Sequence, residues 1–440
     1  MDRAREAALV RKIQQSPLVR RVLCTPGNDG VARECECLPI RADDYDGLVA
    51  LAIKESVDLT VVGPEQPLVD GLVDRFSDEG LRVVGPDFSG AQLEGSKHFA
   101  KRIMELAGAP TAPYRVYQGV ANATAAKRAA VELGVPLVVK ADGLCGGKGV
   151  VVARTLEEAH AAIDSMLVAK KFGPAGATIL LETCLVGQEC SLMVLVDGEH
   201  AVPLEPARDY KRLGEGDTGP NTGGMGAFSP VPDVPRTMVE GCMRQIVRPV
   251  VASMKAQGMP YRGVLYVGLM LTEAGPQVLE FNCRMGDPET QVVLARMQSD
   301  LVPYLWATTD GTLQQLPPIA WSQDKAIYVV LAAEGYPTAP VLGATIELPD
   351  ALPDRTDLLY AGVKWHAGKL VTSGGRVLGC LGQGERFFDA FRQVYLLADG
   401  VKFRGKRYRR DIARFEAGCL LNDEEQAQLA KILANGLVLS

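Results

Sequence analysis

The sequence predicts an α/β protein of about three domains, opening on a parallel sheet and closing on a small α/β domain. Three observations carry this. Up to residue 86, apolar segments alternate with amphipathic ones as strand, loop and helix, the pattern of a parallel sheet. Between residues 96 and 320, β-branched runs are broken by clusters of glycine, lysine and acidic residues. From residue 321 another set of apolar strands precedes a helix. At 440 residues, 47% of them hydrophobic, the chain can bury several cores.

An amphipathic helix is expected over 4–15, then a strand at 21–24 running into Thr25-Pro26-Gly27-Asn28. A helix near 46–55 leads to a strand at 58–62, the turn Gly63-Pro64-Glu65, a helix to Asp78 and a strand at 81–84. Ligands of parallel sheets bind beyond the carboxyl ends of strands, so Asn28 and Glu65 are candidate substrate contacts. The plainer alternative is that these glycines and prolines only punctuate turns. Such a domain normally begins with an apolar strand and a glycine-rich turn. Here the helix starts almost at Met1, so the expectation is a domain lacking its usual first strand, with a gap in the sheet and exposed ladder groups.

The densest chemistry begins at 138–152, VVKADGLCGGKGVVV. An apolar strand ending in Lys140, a turn with Gly143, Gly146, Gly147 and Gly149, and a second apolar strand read as a hairpin over the phosphates of ATP. Glycines let backbone N–H groups approach an anion, and Lys140 and Lys148 supply the charge. A Walker A loop is excluded, because Val150 stands where Ser or Thr and a helix are required. Around the hairpin, helices are expected at 95–107 and 156–168, and strands at 178–182 and 190–196. Glu182, just at a strand end, is suited to nucleotide ribose hydroxyls, and the strand edge to adenine.

Two further stretches follow. Arg208-Asp209-Tyr210-Lys211-Arg212 and the run 217–226, DTGPNTGGMG, suggest a loop closing around small polar ligands. The strand 277–282 ends in Glu280, Phe281 and Asn282, and alternation places Glu280 and Asn282 on one face. Both oxygens then suit one or two magnesium ions bridging nucleotide phosphates. Arg284 and Asp287 follow directly.

Composition narrows the function classes. A net charge of −6 and a pI near 5.5 give no global attraction to nucleic acid or anionic membrane. Ten cysteines without a CxxC pair, beside four histidines, fit reduced thiols. No apolar run approaches membrane-spanning length and no signal-peptide core is present. A soluble cytoplasmic protein acting on small molecules, without nucleic-acid or membrane partners, is expected.

The segments VVKADGLCGGKGVVVA, GPNTGGMGAFSP and LEFNCRMGDPETQ, in this order, resemble the phosphoribosylamine-glycine ligase (glycinamide ribonucleotide synthetase) family of the ATP-grasp superfamily. TPGN at 25–28, VVGPEQPLVDG at 61–71, QLEGSK at 92–97, AAEGYP at 332–337 and SGGRVL at 373–378 extend the likeness over roughly residues 5 to 415. It implies a pre-ATP-grasp domain over 1–95, an ATP-grasp region over 96–320 with a lid-like part at 112–190, a carboxy-terminal domain over 321–418 and a tail over 419–440.

The resemblance implies a reaction. Glycine's carboxylate attacks the γ-phosphate of ATP, and the amine of 5-phosphoribosylamine attacks the resulting glycyl phosphate. Positioning and charge neutralisation suffice, without a protein nucleophile. By this likeness Lys97, Lys140, Gly146, Gly147 and Lys148 meet ATP phosphates, while Glu182 and Glu189 meet the adenosine side. Glu280 and Asn282 hold Mg2+ or Mn2+. Arg284, Asp287 and Lys148 are the catalytic candidates, Arg284 because a guanidinium fork suits a carboxylate or developing oxyanion. Asn28, Glu65, Asp209, Lys211, Asp217, Asn221, Gly224, Met225 and Arg284 are the substrate-binding candidates. A monomer or weak homodimer is expected. The alternatives are an ATP-grasp ligase using a different amine, or a nucleotide-binding paralogue without turnover.

The sequence also departs from the family. Arg5-Glu6-Ala7-Ala8-Leu9 matches a glycine pair followed by Arg-Glu-His-Ala-Leu, but Arg3 and Ala4 replace the glycines and Ala7 the histidine. Arg208 and Tyr210 stand where glutamine and histidine are usual, and Arg208 is read as new charge for the acceptor's phosphate. In the last block, strands are expected at 326–331, 358–365 and 375–381 and a helix at 387–397, with His366 structural. The basic run from Lys402 to Arg410 is read as a solvated or substrate-anion face, and residues after Cys419 as a helical tail.

Overall fold

The structure is a computed structural model describing residues 4–435, so Arg3 lies outside the described residues. Helix α1 (Ala4–Gln14) is far more buried than an amphipathic surface helix, with Ala4 to Val10 and Lys12 all inside. Small Ala7 and Ala8 allow this close approach. Arg5, wholly buried, donates to Glu6 Oε1 at 2.6 Å and to the Met285 carbonyl at 3.0 Å. The helix therefore carries an internally neutralised pair rather than a bare charge.

Strands β1 (Leu23–Cys24) and β2 (Glu36–Cys37) pair in parallel, and after α2 (Tyr45–Lys54) so do β3 (Thr60–Val61) and β4 (Val83–Val84). The expected parallel sheet is thus present as two separate two-stranded pieces among the described residues. Each strand keeps only the two residues that find a ladder partner. The helix expected up to Asp78 is broken into α3 (Glu65–Val69) and α4 (Leu72–Asp78), because Gly71 takes φ +82° between them. Helix α5 (Phe88–Gly95) then runs into α6 (Lys97–Ala107), where Ser96 caps the second by accepting from the Phe99 N–H.

A four-stranded antiparallel sheet of order β5-β8-β6-β7 has its own core. Its strands are β5 (Tyr114–Gln118), β6 (Leu137–Ala141), β7 (Val150–Ala153) and β8 (Thr178–Thr183). Helices α7 (Ala123–Leu133) and α8 (Leu156–Ile163) press Ala126, Ala130 and Ile163 onto Leu137, Val139 and Leu181. The expected helix to 168 is α-helical to Ile163 and continues with π-type geometry over Asp164–Val168.

The central sheet, β10-β9-β15-β16, is built on β9 (Gln188–Asp197), β10 (Ala201–Pro203), β15 (Arg262–Thr272) and β16 (Gly275–Asn282). Gly268 opposes Glu280 while Leu269 opposes Val278, so Leu279 is an extra residue in β16. This bulge re-aims the strand end that carries Glu280.

The largest sheet has the order β11-β14-β17-β21-β18, with β11 (Arg208–Asp209), β14 (Gly226–Ser229), β17 (Lys325–Ala332), β18 (Thr356–Tyr360) and β21 (Arg376–Gly384). Between β11 and β14, β12 (Arg212–Gly214) and β13 (Thr218–Asn221) form a hairpin. Two strands from residues 208–229 therefore join a sheet otherwise made after residue 324. The single strand expected over 358–365 is two, β18 and β19 (Val363–His366), and β19 pairs with β20 (Lys369–Thr372). Gly362 causes the break, since its backbone packs so closely on Gly374 that a Cβ would lie 2.5 Å from the Gly374 Cα. Among the described residues no helix is long and apolar enough to cross a membrane.

Arg5→Ala leaves the Glu6 carboxylate buried beside an empty guanidinium site. The expected cost is ~3 kcal/mol, read as a lower urea midpoint or Tm, with Leu9→Ile nearly neutral.

Candidate active site

A cavity of about 1210 Å³ opens between the β6–β7 hairpin, the end of β16 and the β12–β13 hairpin. Its lining includes Glu65, Lys97, Lys140, Gly146, Gly147, Glu182, Glu189, Asp209, Lys211, Asp217, Asn221, Gly224, Glu280, Asn282, Arg284 and Asp287. Lys148, Asn28 and Met225 are not among the lining residues. Lys148 sits exposed on the hairpin turn. Asn28 Oδ1 accepts from the Gly30 and Val31 N–H groups at 2.9 and 3.0 Å, holding its own turn. Met225 is buried in the core with its carbonyl accepting from Val330 N–H, so only its backbone shapes the loop.

At one end, Lys140 Nζ is 2.8 Å from Glu182 Oε2 and donates to the Leu279 carbonyl at 3.1 Å. That carbonyl belongs to the bulged residue of β16. Lys101 approaches the same Glu182 oxygen at 3.3 Å and donates to Thr111 Oγ1 and the Ala112 carbonyl. Burial pushes the Lys101 ammonium down to about 8, against the pull of Glu182. Glu182 Oε1 is buried and lacks a hydrogen-bond partner. An orphan acceptor in a cavity wall costs free energy unless a ligand donor meets it.

Next to this, Lys97 starts α6 and reaches the Asp142 and Gly143 carbonyls at 3.5 and 3.4 Å. The Asp142 carboxylate accepts from Ser96 Oγ and the His98 N–H, tying hairpin to helix. Gly146 and Gly147 take φ of +57° and +76° with no atom within 4 Å of a would-be Cβ, so the turn is open on that side.

Glu280 and Asn282 share the inner face of β16, as alternation requires. Burial works against the Glu280 charge, but Lys211, Lys97, Lys140 and Arg284 outweigh it and lower its pKa. Asn282 Oδ1 accepts from Arg284 Nη2 at 3.2 Å. The Arg284 guanidinium is 3.0 Å from Glu94 and 3.4 Å from Glu65, and these carboxylates more than offset burial, raising its pKa. Glu94 also accepts from the Cys283 N–H at 2.7 Å, while burial raises its own pKa.

Asp287 Oδ2 meets Arg376 Nη2 at 2.6 Å, and Oδ1 accepts from Gln291. Arg376 comes from β21 and also donates to the Gly223 carbonyl, while the Gly223 N–H donates to Tyr336 OH at 3.0 Å. Gly224, at φ +101°, packs where a Cβ would lie 2.4 Å from the Pro288 ring. The glycine loop is thus clamped from the carboxy-terminal sheet.

Lys211 Nζ lies 2.5 Å from Glu189 Oε2. Burial pushes Asp209 up to about 8 despite Lys211, with Glu289 and Glu189 adding to the rise. Glu289 Oε1 is held by Ser191 Oγ and Tyr266 OH at 2.9 and 2.8 Å. Arg208 donates to the Glu189 carbonyl at 2.9 Å and to Asp233 at 2.7 Å. Its charge is paired with Asp233, the Glu189 contact being to a neutral carbonyl, and Arg208 lines the cavity. Tyr210 OH accepts from the Ala413 N–H at 2.9 Å, pinning the carboxy-terminal segment.

Lys101, Glu94, Glu289 and Arg376 were not singled out in the sequence. Glu94 and Arg376 sit in the family segments at 92–97 and 373–378, which was the available signal. Glu289 sits in the family segment at 279–291, whereas Lys101 read as an ordinary helix residue.

Three family models tile the chain: the phosphoribosylglycinamide synthetase N domain matches residues 2–94, its ATP-grasp (A) domain 95–290 and its C domain 326–415. The chain belongs to the phosphoribosylglycinamide synthetase family. It is similar to the phosphoribosylamine–glycine ligase of Xanthomonas campestris pv. campestris, 48% identical over 93% of this chain and 95% of the relative. The corresponding ligase of Halalkalibacterium halodurans is 46% identical over 93% and 94%. A crystal structure of the Thermotoga maritima ligase aligns with a TM-score of 0.80 at 35% identity, covering 94% of this chain and 98% of that one. Biotin carboxylase from Campylobacter jejuni shares the fold, at a TM-score of 0.72, 16% identity and coverage of 97% and 95%.

In this family member the Lys101 shift has a direction that can be checked. Raising pH through about 8 removes the Lys101 proton and leaves Glu182 to Lys140 alone. ADP affinity, measured calorimetrically, is expected to fall between pH 7 and 9, and to stay flatter in Lys101→Arg, whose charge persists.

Proposed function

We propose that the chain ligates glycine to 5-phosphoribosylamine at the expense of ATP, through glycyl phosphate, giving glycinamide ribonucleotide, ADP and phosphate in purine biosynthesis. One observation carries the reading: Glu280, Asn282 and Arg284 face the lysine-bearing hairpin across a single cavity. The relatives' names point to the same pair of substrates.

Nucleotide fits the end where Glu182 Oε1 is unpartnered and where Lys97, Lys140 and the turn at Gly146 and Gly147 converge. Glu189, held by Lys211, suits the ribose. Glu280 and Asn282 fit a hard divalent cation, Mg2+ or Mn2+, being a carboxylate kept ionised and an amide oxygen on one strand face. Such an ion would neutralise charge on the transferred phosphoryl group. Arg284, whose Nε stands 3.4 Å from Glu65 without a hydrogen bond, suits glycine's carboxylate or the oxyanion that develops. Asp287 suits the ammonium of glycine, and Arg376 aims that carboxylate.

Asp209 and the loop from Asp217 to Gly224 suit the amine acceptor, with Asn28 and Glu65 on the side of the parallel strands. Met225 enters through its backbone, and Lys148, on the exposed turn, through closure of the hairpin. Residues 1–95, 96–320 (with 112–190 as lid), 321–418 and 419–440 are proposed as the functional units. The ten free thiols suit a cytoplasmic protein, and a monomer or weak homodimer is proposed.

The test is ADP release with glycine, with and without phosphoribosylamine formed in place from ribose 5-phosphate and ammonia. Release that needs both substrates is expected. Dependence on another amine, or nucleotide binding without turnover, would replace this reading with the corresponding alternative. Glu280→Ala is expected to cut kcat by roughly 10³-fold with the fold intact by circular dichroism. Arg376→Met is expected to raise the KM for glycine about tenfold while the KM for ATP stays within twofold. Arg376→Lys should recover part of it.

A further inference from the structure

Three of the ten cysteines converge outside the cavity, at the amino-terminal parallel strands. Cys24 ends β1 and its Cα stands directly opposite Cys37 of β2, while Cys35 precedes β2 by one residue. In a parallel pair, opposed residues are about 5 Å apart at Cα, within the span a disulfide requires. The sulfurs are turned toward each other. A Cβ placed on Gly27 would lie 2.3 Å from Cys37 Sγ and 3.7 Å from Cys24 Sγ, so both converge under that glycine. Cys35, two residues before Cys37, lies on the same face of that strand. All three are half-buried rather than sealed, unlike Cys190, Cys242, Cys283 and Cys380.

We propose that these residues form a peroxide-oxidisable thiol site, in which Cys24 is the attacking sulfur and Cys37, opposed to it across the strand pair, the resolving one, with Cys35 able to replace Cys37. Contact with Cys35 brings the Cys24 thiol below its ordinary pKa, and burial opposes this only in part. Burial, with the neighbouring Cys24 sulfur, raises Cys37. That asymmetry selects Cys24 as the nucleophile. Cys24 sulfur attacks one oxygen of a hydroperoxide, the O–O bond breaks, and an alcohol or water leaves with a proton. The Cys37 sulfur then attacks the Cys24 sulfenic acid; an S–S bond forms, the S–O bond breaks, and water leaves with the thiol proton. Two thiols lose two electrons and one hydroperoxide gains them.

The position couples this chemistry to Thr25–Asn28. Cys24 directly precedes that turn, and the Asn28 N–H is directed at the Cys37 sulfur. Joining the two strands ties down one side of the turn. An effect on the amine acceptor rests on the proposed function above, whereas disulfide formation does not.

The experiment treats the reduced full-length protein with stoichiometric hydrogen peroxide, alkylates the remaining thiols and maps the peptides. Tryptic cleavage after Arg33 separates Cys24 from Cys35 and Cys37, so the cross-link is directly visible. The expected result is a Cys24–Cys37 disulfide reversed by dithiothreitol, absent in Cys24→Ser and diverted to Cys35 in Cys37→Ser. Recovery of Cys24 as a free thiol, or its passage to sulfinic acid without a cross-link, overturns the proposal. In the oxidised protein the KM for phosphoribosylamine is expected to rise about fivefold with that for ATP unmoved. A disulfide that forms without this change would instead count against placing the acceptor beside Thr25–Asn28.

Discussion

Lys140 holds three pieces of chain at once. It leaves β6, pairs with Glu182 of β8 and donates to the carbonyl of Leu279, the bulged residue of β16. The smaller sheet and the central sheet have separate cores, so they need a polar link to be placed over one another. A buried ammonium with a carboxylate and a carbonyl around it is satisfied only in that arrangement, which makes it a device for geometry more than for stability. The bulge that exposes the Leu279 carbonyl also turns Glu280 inward. Closure of the cavity and placement of its acidic wall are therefore one event.

The cavity collects charge of both signs, and its chemistry depends on which charges are already committed. Arg284 is bounded by Glu65 and Glu94, Lys211 by Glu189, and Asp287 by Arg376. Each pair offsets the cost of burial and fixes a side-chain direction before any ligand arrives, which is the preorganisation that transition-state stabilisation draws on. What is left over marks where ligands fit: the orphan oxygen of Glu182 and the open backbone turn at Gly146 and Gly147. The carboxy-terminal sheet takes part directly through Arg376 and Tyr336, which grip Gly223 from both its carbonyl and its N–H.

Contacts across the sequence explain where linear reading erred. Arg208 looked like spare charge, but it is paired with Asp233. The strand expected over 358–365 was broken by a Gly362–Gly374 contact that no local pattern announces. Glu94 and Lys101 were passed over because a charged residue on a helix is ordinarily solvated; here both helices turn that face into the cavity. Arg5 is the clearest instance, a charged residue on a short amphipathic helix that is wholly buried because Glu6 and the Met285 carbonyl meet it.

The sequence by itself determined the family, the strand–turn–strand hairpin and the shared face of Glu280 and Asn282. Each depends on local spacing: a twofold alternation, a run of glycines, or motifs of fixed order. Only the tertiary structure decided which charges are free, that Met225 is core, that residues 208–229 join the last sheet, and that Cys24 and Cys37 meet. Those outcomes depend on which distant groups share a low-dielectric interior, and burial converts a neighbour's charge or hydrogen bond from a minor effect into the dominant one.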